Sequence, residues 1–323
     1  MEKLPLIVNI NQNSLDDGPG IRSVIFFKGC PLDCVWCQNP ETKNPKQELI
    51  FLSDPCINCN PCTVNCSNNS FHYQQDNLQI SWELCNHCNL DFQCSEQCPA
   101  DVFEKAGKYY EISELVNIIT SNRIFYKNSG RGVTLSGGEP LLFPKYMRQL
   151  MEELKKEKIT ICIETAGQFE MNTDTDFILR NADLIYFDIK LIDSNLHRKY
   201  CGRENTRIIS DFNTIISDMT PILPTSKKSL YLNEKLDKRP ILIPRIPLIP
   251  DITATQENLL SSMEFFKQNG IKLIDLLEYN PLWQNKAISL GKAVGYSRKN
   301  WMTEEELQFV RNIFQDFIFE KIK

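Results

Sequence analysis

Short apolar, β-branched runs alternate along most of this chain with longer stretches in which apolar residues return every three or four positions. Runs of the first kind are Arg22 to Lys28, Gly132 to Leu135, Ile159 to Glu164, Leu184 to Lys190, Ile241 to Ile246 and Leu273 to Glu278. This is the pattern of parallel strands joined by crossover helices. Between the second and third runs, Tyr146, Met147, Leu150, Met151 and Leu154 recur at helical spacing. Ser113, ahead of Leu115, Val116, Ile118 and Ile119, is placed to be the N-cap of another helix. Six such strands predict an α/β fold of partial-barrel type, in which chemistry gathers at the C-terminal strand ends.

From about Glu48 to Lys105 the alternation stops, and Asn, Pro and Cys take over. The division this predicts has residues 1–47 as the first part of the barrel with a cysteine-bearing loop, 48–105 as an inserted domain and 106–323 as the remainder. A second interruption, Pro221 to Arg239, reads as a surface loop or hairpin. At 323 residues, one barrel-sized domain carrying an insertion fits as well as two domains.

Charge adds little: 36 basic against 41 acidic residues give a net of -5, with no field suited to holding nucleic acid nonspecifically. No apolar run reaches the roughly 20 residues of a membrane span. Cysteine changes the picture, because 11 of the 13 lie between Cys30 and Cys98. The N-terminus lacks a signal peptide's long apolar stretch, so the expectation is a cytosolic, oxygen-sensitive protein whose cysteines are metal ligands rather than a disulfide framework.

Cys30, Cys34 and Cys37 have C-x3-C-x2-C spacing and supply three thiolates to a centre that wants four ligands. A metal position left open can bind and activate a substrate. A zinc knuckle or plain buried thiols is the alternative. Downstream, Thr134-Leu135-Ser136-Gly137-Gly138-Glu139-Pro140 follows one predicted strand and precedes a helix. Its two glycines let the backbone approach a ligand closely, and Glu139 can accept hydrogen bonds from an ammonium group.

With Asp17-Gly18-Pro19-Gly20-Ile21-Arg22 before it and Trp36-Cys37-Gln38-Asn39-Pro40-Glu41 across its end, the triplet resembles that of the radical S-adenosylmethionine enzymes that activate glycyl radical enzymes. The resemblance runs from Asp16 to the C-terminal helix around Thr303 to Phe317. It implies a partial (β/α)6 TIM-like barrel and a 4Fe–4S cluster on Cys30, Cys34 and Cys37. It also implies S-adenosylmethionine on the open iron, yielding a 5'-deoxyadenosyl radical. The partner would be a glycyl radical enzyme that loses one glycine α-hydrogen, and the electron donor a flavodoxin or ferredoxin. Trp36 and Gln38 would lie beside the cosubstrate, and Gly137, Gly138 and Glu139 would grip its amino group. Glu164, Asp188, Ile189 and Lys190 would surround the nucleoside, with Arg245 reaching in. Asn280, in Tyr279-Asn280-Pro281, stands where many relatives have a histidine, and it cannot titrate.

In the interrupted segment, Cys56, Cys59, Cys62 and Cys66 have ferredoxin spacing, although Ser67 replaces the usual following proline. Cys85, Cys88, Cys94 and Cys98 form a second set whose middle gap is longer, with Asn89 to Gln93 free to loop out. By ferredoxin analogy the fourth cysteine of each run crosses over. Cys56, Cys59, Cys62 and Cys98 would then hold one auxiliary 4Fe–4S cluster, and Cys85, Cys88, Cys94 and Cys66 another. Structural zinc on the same thiolates stays open, with His72 and His87 nearby. Two further readings also stand, a radical enzyme acting on a small molecule or other peptide and a non-catalytic electron carrier. The Ser136 to Pro140 motif speaks against the second, since an electron carrier has no use for a methionine pocket.

Overall fold

Each of the six apolar runs becomes a strand, and the six lie side by side. The computed structural model describes residues 4–75, 77–86, 88, 92–129, 132–227 and 239–320. In chain order the strands are Leu6–Ser14 (β1), Arg22–Phe27 (β2), Glu48–Phe51 (β3), Phe71–Gln74 (β4), Asn77–Ile80 (β5), Phe103–Ala106 (β6) and Lys108–Tyr109 (β7). After these come Val133–Gly137 (β8), Ile161–Thr165 (β9), Leu184–Asp188 (β10), Ile241–Leu248 (β11), Leu273–Glu278 (β12) and Ile318–Phe319 (β13).

Among the described residues one sheet runs β13-β12-β11-β10-β9-β8-β2-β1-β7. Every pairing from β2 through β8 to β13 is parallel, and β1 pairs antiparallel with both β2 and β7. The fold is therefore α/β with a mostly parallel sheet. Parallel neighbours need long crossovers, and helices supply them. Pro144–Lys156 joins β8 to β9, Thr173–Asn181 joins β9 to β10, and Gln256–Gln268 joins β11 to β12. The first of these buries Tyr146, Met147, Leu150, Met151 and Leu154, the stripe read from its spacing. Against them pack Leu135, Ile163, Ile185 and Phe187 of the strands. Each such apolar side chain contributes about 1.5–3 kcal/mol on burial.

One helix start differs from its sequence reading. The helix Ile112–Ser121 begins ahead of Ser113, with Glu111 at the cap position and no side-chain cap. Ile112 packs against the main core, and that contact draws it into the first turn. Within the interruption read from Pro221 to Arg239, Ile222 bridges to Ile241, while residues 228–238 lie outside the described residues.

The segment 48–105 leaves and returns along a ribbon. β3 pairs antiparallel with β6, Glu48 opposite Ala106 and Phe51 opposite Phe103. Beyond the ribbon, β4 and β5 form a hairpin, and the one-turn helices Pro61–Asn65, Trp82–Cys85 and Cys94–Gln97 carry cysteines. Leu49, Phe71, Leu78, Phe92, Val102 and Phe103 make an apolar centre separate from the main core. No helix among the described residues is long and apolar enough to cross a membrane.

Candidate active site at the carboxyl ends of the strands

β2 ends at Phe27, and the chain turns through Gly29, at φ +119°, into the cysteine loop. Two segments hold that loop. From one side Gly29 N donates to Thr42 O (2.6 Å) and Cys30 N to Lys43 O (3.0 Å). From the other, Asp33 N donates to Cys201 O (2.8 Å), Val35 N to Tyr200 O (3.0 Å) and Arg203 Nε to Pro31 O (2.7 Å). Beneath, the fully buried Lys28 ammonium donates to Glu48 (2.7 Å) and to Glu41 O (2.5 Å). Lys292 reaches the same Glu48 at 3.0 Å and Pro40 O at 2.7 Å.

So tethered, Cys30, Cys34 and Cys37 line one cavity of about 620 Å³, together with Lys43, Lys292 and Trp283. Burial pushes the Cys30 thiol up, and a hydrogen bond with Cys201 joined by burial pushes Cys34 well up. Cys37 is pushed up to about 11, chiefly by burial. By surface exposure Cys34 is buried and Cys30 and Cys37 half-buried; thiols that ionise reluctantly on their own would give up their protons to a strongly positive centre, which deprotonates its ligands. Among the described residues no three His, Cys, Asp or Glu side chains converge as for a single ion. A 4Fe–4S cluster takes one thiolate per iron at separate corners.

The Gly-Gly turn after β8 sits directly on this loop. Gly138 N donates to Phe27 O (2.9 Å) and Glu139 N to Gly29 O (2.8 Å). A Cβ on Gly137 would lie 2.4 Å from Phe27 N, and one on Gly138 2.1 Å from Gly29 O. The close approach seen is thus to backbone leading into Cys30, an approach that no other residue type permits. The Glu139 carboxylate is fully buried and points beneath the turn. It accepts from Thr165 Oγ1 and Ala166 N at 2.9 Å and from Leu141 N at 3.2 Å. Burial outweighs these bonds and raises its pKa to about 7.

Four adjacent strand ends carry a chain of charges. Ser136 Oγ donates to Glu164 Oε2 (2.5 Å), and Arg245 donates to Glu164 Oε1 (2.6 Å) and Asp188 Oδ1 (2.9 Å). Lys190 Nζ donates to Asp188 Oδ2 (2.9 Å). Register explains the meeting, since Asp188 lies beside Arg245 and Tyr186 beside Glu164 across parallel pairs. Arg245 also stacks over the Tyr186 ring, 4.8 Å from its centroid. Burial works against the ionised Asp188 carboxylate, but Arg245 and Lys190 outweigh it and hold the group below the usual range. Burial likewise opposes the charge on Lys190 and Arg245, and their carboxylate partners reverse the balance. The Ile189 side chain is in the main core and its N–H donates to Arg245 O (2.8 Å). Gln38 Nε2 donates to Asn280 O (3.2 Å), joining the cysteine loop to the end of β12, and Trp36 is buried beside them.

In the segment 48–105, Cys85 is buried, Cys59 exposed, and Cys56, Cys62, Cys66, Cys88, Cys94 and Cys98 half-buried. They fall into two neighbourhoods. Cys85, raised to about 12 by burial, feels Cys94, Cys88 and Cys66, whereas Cys62, raised by burial, feels Cys56 and Cys98; the two adjoin, since Cys94 feels Cys66 and Cys88 first and then Cys62. His72 is exposed, and His87 and residues 89–91 lie outside the described residues. Trp82 seats this segment against the rest of the molecule. A Cβ on Gly291, at φ +66°, would lie 2.0 Å from Trp82 Cγ, one residue before the cavity-lining Lys292.

The sequence does not single out Lys28, Lys43 or Cys201. None belongs to a spaced motif, and the signal that binds them to the site is a contact between distant segments.

Over residues 16–209 the chain matches the family described as "4Fe-4S single cluster domain". It is 29% identical over 320 residues to the 4-hydroxyphenylacetate decarboxylase activating enzyme of Clostridium scatologenes, covering 98% of this chain and 96% of that one. It is 30% identical over 314 residues to the trans-4-hydroxy-L-proline dehydratase activating enzyme of Clostridioides difficile, with 96% of each covered. A domain of pyruvate-formate lyase-activating enzyme from Bacteroides vulgatus superposes with a TM-score of 0.42 at 22% identity, covering 59% of this chain and 98% of that one. The chain is an iron–sulfur protein of the radical S-adenosylmethionine superfamily and belongs to its glycyl-radical enzyme activating enzymes.

Proposed function

We propose that Cys30, Cys34 and Cys37 hold a 4Fe–4S cluster with one iron left to S-adenosylmethionine, and that the chain uses it to place a radical on a glycine of a partner enzyme. When bound, the cluster supplies the electron that cleaves the sulfonium to methionine and a 5'-deoxyadenosyl radical. The observation that carries this reading is the single cavity lined by the three thiols, with the Gly137–Gly138 turn bonded to the loop that bears them.

The remaining work falls to positioning, since a primary carbon radical attacks almost any C–H it meets. The turn at Gly137, Gly138 and Glu139 holds the amino group of the methionine portion. Because the Glu139 carboxylate is engaged by Thr165 and Ala166, its contribution is to fix the turn from beneath. Glu164, Asp188, Lys190 and Arg245, their charges already paired with one another, border the nucleoside together with the backbone of Ile189. Gln38 and Asn280, with Trp36 behind them, close the side toward the last strand. The parallel strands curve as a partial (β/α)6 barrel whose open side admits the partner's glycine loop.

The cysteines of 48–105 hold two auxiliary 4Fe–4S clusters in a ferredoxin-like module, one on Cys56, Cys59, Cys62 and Cys98 and one on Cys66, Cys85, Cys88 and Cys94. The two neighbourhoods of raised thiols support that grouping. A flavodoxin or ferredoxin supplies the electron, in an oxygen-poor cytosol. Anaerobically reconstituted protein should then carry about twelve iron atoms per chain, and about four would contradict the auxiliary clusters. Incubated with reductant, S-adenosylmethionine and the glycyl radical enzymes served by its relatives or encoded beside it, it should give a glycyl radical signal on one partner. 5'-deoxyadenosine formed with no such signal on any of them contradicts the partner assignment.

A further inference from the structure

The C-terminal end of the helix Ser194–Cys201 lies along the cysteine loop as if it were a second strand. Asp33 N donates to Cys201 O and Val35 N to Tyr200 O, so the residues on both sides of Cys34 are pinned to the last turn of this helix. Gly202 follows at φ +79°, and a Cβ there would press to 3.1 Å from Asp33 Cβ. That arrangement puts the Cys201 side chain, 0% exposed, in the same apolar cluster as Cys34, Leu32 and Trp36. The two side chains share that cluster, and while Cys34 is protonated its contact with Cys201 favours the neutral thiol, the sense of Cys34 as donor. Once Cys34 gives up its proton to ligate a metal, Cys201 is the one of the two left with an S–H to donate. Lys43 approaches the same corner, donating to Cys34 O at 3.3 Å.

We propose that Cys201 is a positioning residue for the cluster, its thiol donating a hydrogen bond to the Cys34 sulfur and so setting the potential at which that cluster accepts its electron. A hydrogen bond to a ligating sulfur favours the state with more negative charge, which is the reduced one. Cys201 therefore makes the cluster easier to reduce. Sequence spacing groups Cys201 with nothing, and its role comes entirely from the backbone pairing that carries it to Cys34. The proposal rests on the reading that Cys34 ligates a cluster.

The test is an anaerobic, EPR-monitored redox titration of the native chain, Cys201→Ala and Cys201→Ser, each at full iron content. The component followed is the one whose spectrum changes on adding S-adenosylmethionine. The midpoint in Cys201→Ala should fall below the native value, and Cys201→Ser, which keeps a donor, should return toward it. Equal midpoints in native and Cys201→Ala overturn the inference while leaving the cluster reading intact. So does an identical shift in both variants, the mark of altered packing alone. Should no component of the native spectrum respond to S-adenosylmethionine, the cluster reading fails and takes this inference with it.

Discussion

The strand-end site and the cysteine-rich segment 48–105 both bring thiols together, but they are held by different forces. Around Cys30, Cys34 and Cys37 the loop is tied to three other segments, and Lys28, Glu48 and Arg245 are buried within ion pairs. In 48–105 the helices are one turn long without side-chain caps, and seven of the eight cysteines remain partly or fully exposed. A parallel sheet with its crossover helices can hold a metal-free loop in shape. A segment this short buries little apolar surface, and on the proposed reading it would lean on its metal centres to stay folded. The first site is prepared by the fold, whereas the second would be completed by what it binds.

Losing one thiol at the prepared site should have the largest effect. Cys37→Ala should abolish formation of 5'-deoxyadenosine while leaving the sheet intact; turnover that survives would place the reaction elsewhere. Next in size is metal removal. Chelation should strip hydrogen-exchange protection from residues 52–102, and the amides of β8 to β11 should keep theirs. Equal loss in both regions would mean that the strand-end site depends on metal for its shape as much as the segment 48–105 does.

Arg245→Met probes the prepared site directly, because it strands Glu164 and Asp188 without their shared cation. The expected cost is about 3–5 kcal/mol in a denaturant titration. A change below about 1 kcal/mol would mean the network is solvated like a surface pair.

A smaller, pH-dependent effect comes from Glu139. The unfolded chain releases this proton near the ordinary glutamate value of 4.5 and the folded chain holds it to about 7, so across that window the folded state binds more protons. Stability of chelated protein should therefore fall as pH rises between those values, and Glu139→Gln should remove that part of the slope. A slope unchanged by the substitution would show that the carboxylate is not titrating where its burial implies. Smallest is Thr303→Ala. It breaks the reciprocal cap between Thr303 and Glu306 at an exposed helix start, and should cost about 1 kcal/mol without altering cluster content.

What the sequence made legible follows from the range of the physics involved. The six parallel strands and the apolar face of the helix 144–156 were readable because periodicity is local. The C-terminal helix expected around Thr303 to Phe317 is there as Glu304–Ile313, with Thr303 as its cap. The glycines of Gly137–Gly138 were singled out for close approach, but what they approach, Phe27 to Gly29, lies more than a hundred residues earlier. Lys28 and Cys201 carry no spacing signal at all, since each is defined by a partner in a distant segment. The ribbon of β3 and β6 was hidden likewise, its two strands separated by the whole cysteine-rich run.

Whether the cluster has one corner open to S-adenosylmethionine is decided by the EPR spectrum of the reduced, oxygen-protected chain before and after the cosubstrate is added. One component should change, and that component should be missing from Cys37→Ala. A spectrum unmoved by S-adenosylmethionine in fully loaded protein would contradict that open corner.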